Sequence, residues 1–316
     1  MVDVFTDGTA LANLLSTGYD RVLEYQLRSR IIWRQFVGKH PVDLTNIGPS
    51  VTLSLFQEFA ALATTPLTDD VDVAAVAPPA PVRVTVTLNE YGNAEITTLR
   101  VKELAFTQVD PAVANVLGKN QIDSIDKLVQ NTFDGATNIL GVNATVVKSN
   151  NTGFAEASVA AGDNYNSAVA RDAVALLRRR NSPGIDNLDQ YVALIHPDVA
   201  ADVMADAGWL APHNYVDPQN IYNAEIGSYL GARYVMTPRA TVVADGAASA
   251  KVYRTTFIGG QAVVEAMKIE PHVVIGPQTD RLRRFFPMGW YALGGWAIFR
   301  QESIQQVRTS ATISAL

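Results

Sequence analysis

The sequence predicts an α+β fold in which strands from distant parts of the chain flank one long helix. Three observations carry that prediction. An apolar stripe follows Asp110-Pro111 for about 25 residues. Clean two-residue alternation occupies residues 51–56 and 82–89. The last third returns to β-branched and aromatic runs at 262–269, 272–275 and 290–299.

In chain order, residues 10–37 read as a helix. Leu11, Leu15, Tyr19, Val22 and Leu23 recur near a 3.6 period, with Asp20, Arg21, Glu24, Arg28 and Arg34 between them. Thr9 or Asp7 caps it, and it ends before His40-Pro41. The two alternating strands enclose a loop-like segment, 57–81, which holds Thr64-Thr65-Pro66, Asp69-Asp70 and Ala77-Pro78-Pro79-Ala80-Pro81. Two ordered strands around so long a loop make an extended arm rather than a tight hairpin. Residues 91–101 bring the chain back. Asp110 as N-cap and Pro111 at the first helical position then start the long helix. Its stripe is Val113, Leu117, Ile122, Ile125, Val129 and Phe133, with Gly135 as C-cap. Such a helix is about 37 Å long, roughly twice the globular average.

Residues 145–163 are small and polar and read as a linker. A second helix spans 166–180 and ends at Asn181-Ser182-Pro183-Gly184. Residues 191–195 have the length and β-branched content of a buried strand. Proline stops it at His196-Pro197, and Asp198 opens a short Ala-rich helix. A turn at Asp245-Gly246 precedes a strand over 252–258.

Several of these segments carry recognisable words. Ile195-His196-Pro197-Asp198-Val199 is a strand-to-helix step. Ile221-Tyr222-Asn223-Ala224-Glu225-Ile226-Gly227 and Gly231-Ala232-Arg233-Tyr234-Val235 follow it. Thr64-Thr65-Pro66-Leu67-Thr68, and Leu117-Gly118 with Asn138-Ile139-Leu140, precede it. In this order they resemble one group of tailed-bacteriophage major capsid proteins, those like the major coat protein of phage N-four. The resemblance spans roughly residues 60–240. It rests on His196, Pro197, Asp198, Ile221, Tyr222, Glu225, Gly227, Gly231 and Arg233.

The resemblance implies the Hong Kong 97 shell fold and a structural role. Residues 1–48 would be an N-terminal arm, and 49–100 the extended loop with its flanking strands. Residues 101–160 would be a peripheral domain with a spine helix, 161–262 an axial domain, and 263–316 the peripheral domain's return strands. It further implies hexamers and pentamers of this chain in an icosahedral shell around double-stranded DNA, which the shell encloses without sequence-specific binding. Portal, scaffolding and decoration proteins are the expected partners. No long coiled-coil-like extension marks a fused scaffold.

The extended loop, through Thr65, Pro66, Asp69 and Asp70, is a candidate contact with a neighbouring subunit. Two arginine clusters are further candidates. Arg178, Arg179 and Arg180 close a helix, where positive charge complements the macrodipole. They also fit a ring of like residues around a capsomer axis. Arg281, Arg283 and Arg284 precede Phe285-Phe286. Arginine suits fixed bidentate pairing between subunits, and a solvated loop or a DNA contact would use the same residues. The aromatic tail, Phe285 to Phe299, reads as core or interface packing.

Catalytic signatures are absent. With no cysteine, thiol catalysis, disulfides and thiolate zinc sites are excluded. His40, His196, His213 and His272 lack metal-ligand spacing. Neither a nucleophile elbow nor a phosphate-binding loop occurs. No enzyme, cofactor or metal is therefore expected. At 48% hydrophobic the chain can bury a large core, and its net charge of −6 points away from direct nucleic-acid reading. The longest apolar run is 13 residues, short of the ~20 a membrane helix needs. Synthesis in the host cytoplasm, no membrane contact and residence in the virion are the expectations. A nanocompartment shell of the same fold, encapsulin-like, and a cytosolic α+β hydrolase with dispersed carboxylates are the alternatives.

Overall fold

The computed structural model describes residues 31–39, 48–55, 66, 72, 77–105, 109–142, 154–185, 190–206, 225–277 and 280–315. A 3-10 turn, Trp33–Phe36, leads into β1 (Gly38–Lys39). Next come β2 (Ser50–Leu55), β3 (Val82–Thr87), β4 (Asn89–Thr98), the short helix α1 (Leu99–Leu104) and the long helix α2 (Val109–Asp134). The middle of the chain supplies β5 (Ile139–Gly141), α3 (Ser167–Arg179), β6 (Tyr191–Ile195), α4 (Pro197–Ala205), β7 (Glu225–Tyr229), β8 (Ala232–Met236) and β9 (Val242–Val243). The remainder forms β10 (Val252–Ile258), β11 (Val263–Ile275), β12 (Phe285–Ile298) and β13 (Ile304–Thr309).

These strands make two sheets and a ribbon. One sheet has the order β1-β11-β12-β4, and the other β5-β13-β10-β6-β8-β7, with β9 added on β10. The ribbon is β2 paired antiparallel with β3, from Ser50↔Thr87 to Leu55↔Val82. Apolar alternation explains it: Val51, Leu53 and Val86 are buried against Val264 and Ala266 of β11. Close approach to β12 needs Gly295, because a Cβ there would lie 2.0 Å from the Thr87 carbonyl oxygen.

Helix α2 matches the predicted long helix and joins the two sheets. Near its start, Val113 and Leu117 pack with Trp290 and Ala292 of β12. Near its end, Val129 and Phe133 share a cluster with Val192, Leu194, Ile258, Val263 and Ile304, which come from both sheets. Ile122 does not lie on the buried stripe; it is 42% exposed. Leu117 and Ile125 are eight residues apart, so the stripe passes through position 121, and 122 is rotated by about 100° from it. Asp126 and Gln130 are buried instead. Gly135 ends the helix without entering the left-handed region, its N–H shared between the Asn131 and Thr132 carbonyls at 3.2 Å.

Strand β6 is buried at all five residues. Tyr191, Ala193 and Ile195 face a cluster with α3 and α4, while Val192 and Leu194 face the α2 side. Covering on both faces explains the continuous apolar run.

Two expectations need correction. Of the helix predicted over 10–37, residues 10–30 lie outside the described residues. The described end is a 3-10 turn and a strand, held by Trp33, which is 1% exposed with its ring 5.5 Å from Phe133. The separate runs at 262–269 and 272–275 are one strand, β11, with register shifts after Met267 and Ile269.

Candidate subunit-contact surfaces

The motif residues turn out to build a frame. His196, rather than Asp198, caps α4: its Nδ1 accepts from the Asp198 N–H at 3.2 Å, and Pro197 takes the first helical turn. Asp198 Oδ2 accepts from the Tyr253 hydroxyl at 2.7 Å, and the His196 and Tyr253 rings are 5.1 Å apart. Burial lowers the His196 pKa, and the Asp198 carboxylate opposes that shift. Gly227 sits at a register shift in β7 with φ 144°. The β7–β8 turn places Leu230 and Gly231 at φ 53° and 84°, a conformation glycine adopts freely. Arg233 Nε donates to Gln190 Oε1 at 2.7 Å. Glu225 begins β7. Ile221 and Tyr222 lie outside the described residues.

The two arginine clusters lie on different elements, one at a helix end and the other in a turn between strands. Arg178 and Arg179 end α3 and are exposed; Arg180 is half-buried just beyond. The Arg178 guanidinium lies over the β7–β8 turn, where a Cβ on Gly231 would come within 2.8 Å of its Nη2. Burial lowers the Arg180 pKa, with Arg179 adding to the shift and Glu302 opposing it. Arg281, Arg283 and Arg284 sit in the exposed β11–β12 turn. Arg283 adopts φ 51° and its N–H bonds the Asp280 carbonyl at 2.9 Å. Arg284 Nε pairs with Asp280 Oδ2 at 2.9 Å, which holds that carboxyl below its usual range. So Arg284 already has a partner in its own subunit, while Arg281, Arg283 and the 70%-exposed Leu282 point the turn outward.

At the far end of the ribbon, Val82 and Arg83 are exposed, as are Pro66 and residues 77–78 beyond it. Thr65, Asp69 and Asp70 lie outside the described residues. Among the described residues, the β11 edge of the four-stranded sheet is partly open. β1 covers β11 only at Val264 and Glu265, and Val273, Val274 and Ile275 are exposed farther along.

Sequence reading missed the buried polar network on α2. Arg34 forms a bidentate pair with Glu265, at 2.9 Å from both Nε and Nη2, and reaches Glu270 at 3.2 Å. Trp296 Nε1 donates to the same Glu265 at 2.9 Å. Asp126 accepts from the Arg34 backbone N–H, with the Trp33 and Ile32 N–H groups alongside; burial raises its pKa. Arg239 pairs with Asp123 and stands 3.7 Å from Asp126. Arg254 and Arg308 converge on Glu156 at 2.9 and 3.0 Å. Removing one partner from such buried pairs typically costs several kcal/mol. Partners as far apart as residues 34 and 265 leave no local signal in a sequence. No group of three metal-ligating side chains occurs among the described residues. No described helix is long and apolar enough to cross a membrane.

A frame of two sheets joined by a long helix, with a projecting ribbon and outward arginine turns, is that of a shell subunit. Solved phage capsids share it. A structure titled "Capsid of Ralstonia phage GP4" has 14% identity, covers 94% of this chain and 95% of that one, and gives a TM-score of 0.73. The Cyanophage Pam1 capsid has 15% identity, coverage of 94% and 96%, and a TM-score of 0.70. The capsid of Helicobacter pylori bacteriophage KHP30 has 12% identity, coverage of 96% and 98%, and a TM-score of 0.67. No curated protein sequence matches the chain. Residues 104–308, more than half of the chain, match the phage capsid protein family, and the chain belongs to it. It is a structural shell protein and a virion component.

Proposed function

We propose that this chain is the major head subunit of a tailed phage, assembling as hexamers and pentamers into an icosahedral shell around double-stranded DNA. The observation that carries this reading is the family match over 104–308 on a fold shared across nearly the whole chain with phage capsids. The four-stranded sheet with α2 takes the peripheral role, and the seven-stranded sheet the axial one. The β2–β3 ribbon and the loop beyond it reach over the adjacent subunit. Arg178 and Arg179 face a capsomer axis, and Arg281 with Arg283 meet carboxylates of a neighbour. Portal, scaffolding and decoration proteins complete the particle, which is made in the host cytoplasm. Its work is repeated contact rather than catalysis: moderate interfaces add up because each subunit has many neighbours, and closed symmetry ends growth. Negative-stain microscopy and sedimentation of the purified protein test this. Shells, capsomers or tubes are expected. A homogeneous monomer at every salt and protein concentration overturns it.

A further inference from the structure

Residues 31–39 connect the amino-terminal segment to the chain that leads into the ribbon. They are fixed at four points. Trp33 is buried against Phe133 of α2. Asp126, also on α2, holds the backbone of the 3-10 turn through the Arg34 N–H at 3.3 Å. The Arg34 side chain crosses to β11 and grips Glu265 with both nitrogens, and Trp296 of β12 holds the same carboxylate. Gly38 and Lys39 then lie parallel to Val264 and Glu265. A bidentate guanidinium–carboxylate pair fixes orientation as well as distance.

The backbone pairing alone covers only two residues. Ile32, Trp33 and Val37 anchor the segment in the buried cluster, and the Arg34 fork adds a side-chain link with directional geometry to β11. The clamp and the ribbon meet on one strand: Glu265 lies between Val264 and Ala266, the two β11 residues against which Val51, Leu53 and Val86 are buried.

We propose that Arg34, Glu265 and Asp126 are positioning residues for assembly, a strap that fixes residues 31–39 on the strand against which the β2–β3 ribbon packs and so sets how the ribbon is presented. Their role is to hold the elements that meet a neighbouring subunit in place. This rests on the assembly reading above.

The test uses the full chain. In Arg34→Ala, hydrogen exchange at residues 31–39 is expected to rise by about tenfold or more, with near-ultraviolet circular dichroism unchanged. Its particles are expected to be of mixed size or open, where the wild type gives one closed form. Glu265→Gln, which keeps an acceptor for Trp296, serves if Arg34→Ala fails to fold. Because the chain has no cysteine, a lock is available: Gly38→Cys with Val264→Cys, added to Arg34→Ala, restores uniform shells when oxidised and not when reduced. A variant with raised exchange that still closes wild-type shells at wild-type yield overturns the strap alone. So does unchanged exchange at 31–39. A wild type that never assembles overturns the assembly reading along with it.

Discussion

His196 holds its cap only while its imidazole is neutral, because Nδ1 must accept from the Asp198 N–H. Burial favours the same neutral form. The folded pKa therefore lies below the unfolded value of 6.5, and the stability this residue contributes is complete above that pH and lost as pH falls through the folded value. Replacing His196 by Ala removes the cap and should cost about 1 kcal/mol at neutral pH. His196→Asn keeps an acceptor without a titrating ring. The drop in melting temperature between about pH 7.5 and about pH 5.5 should be smaller in that variant than in the wild type. An equal drop in both would exclude the mechanism. Asp126 and Asp134 act in the other direction: burial raises their pKa values, so they favour the folded state more as pH falls. The comparison between variants, not the absolute slope, is what isolates His196.

At the level of elements, the ribbon depends on one glycine. A side chain at Gly295 would meet the Thr87 carbonyl, which belongs to backbone and cannot swing away. Gly295→Val should push β3 off β12, destabilise the subunit by roughly 1–3 kcal/mol, and raise exchange at residues 82–87. Wild-type exchange there would show that the ribbon does not need this contact. Elements with one clear period were legible in the sequence: α2 from its stripe, the ribbon strands from alternation, β6 from its unbroken apolar run. Strand β13 was not. Gln305 and Gln306 are fully buried in it, and their amide nitrogens donate to the Asn138 and Phe133 carbonyls. A search for apolar periodicity cannot see a core strand built on amide hydrogen bonds. The short β5 and the capped turn α1 carry too few residues for any period. Among the site residues, the motif words and arginine turns were visible, but the Arg34 strap was not, because it exists only once the chain has folded.

At the scale of the molecule, the described residues show no clean division between the four-stranded and the seven-stranded sheet. Val129 and Phe133 of α2, Val263 of β11 and Ile304 of β13 lie in one buried cluster that belongs to both. Calorimetry of the unassembled subunit should therefore show a single cooperative transition; two resolved peaks would mean the sheets melt independently. The order of strands has a further consequence, in time rather than space. Strand β12 lies between β11 and β4, and β13 lies between β5 and β10. Each sheet thus receives an interior strand from residues that follow all its other strands in the chain. A nascent chain that has emerged only as far as Ile275 has β4 and β5 without their partners, and neither sheet is closed. The subunit cannot present its finished surface until β12 and β13 have been added, so the topology places completion of both sheets late in synthesis.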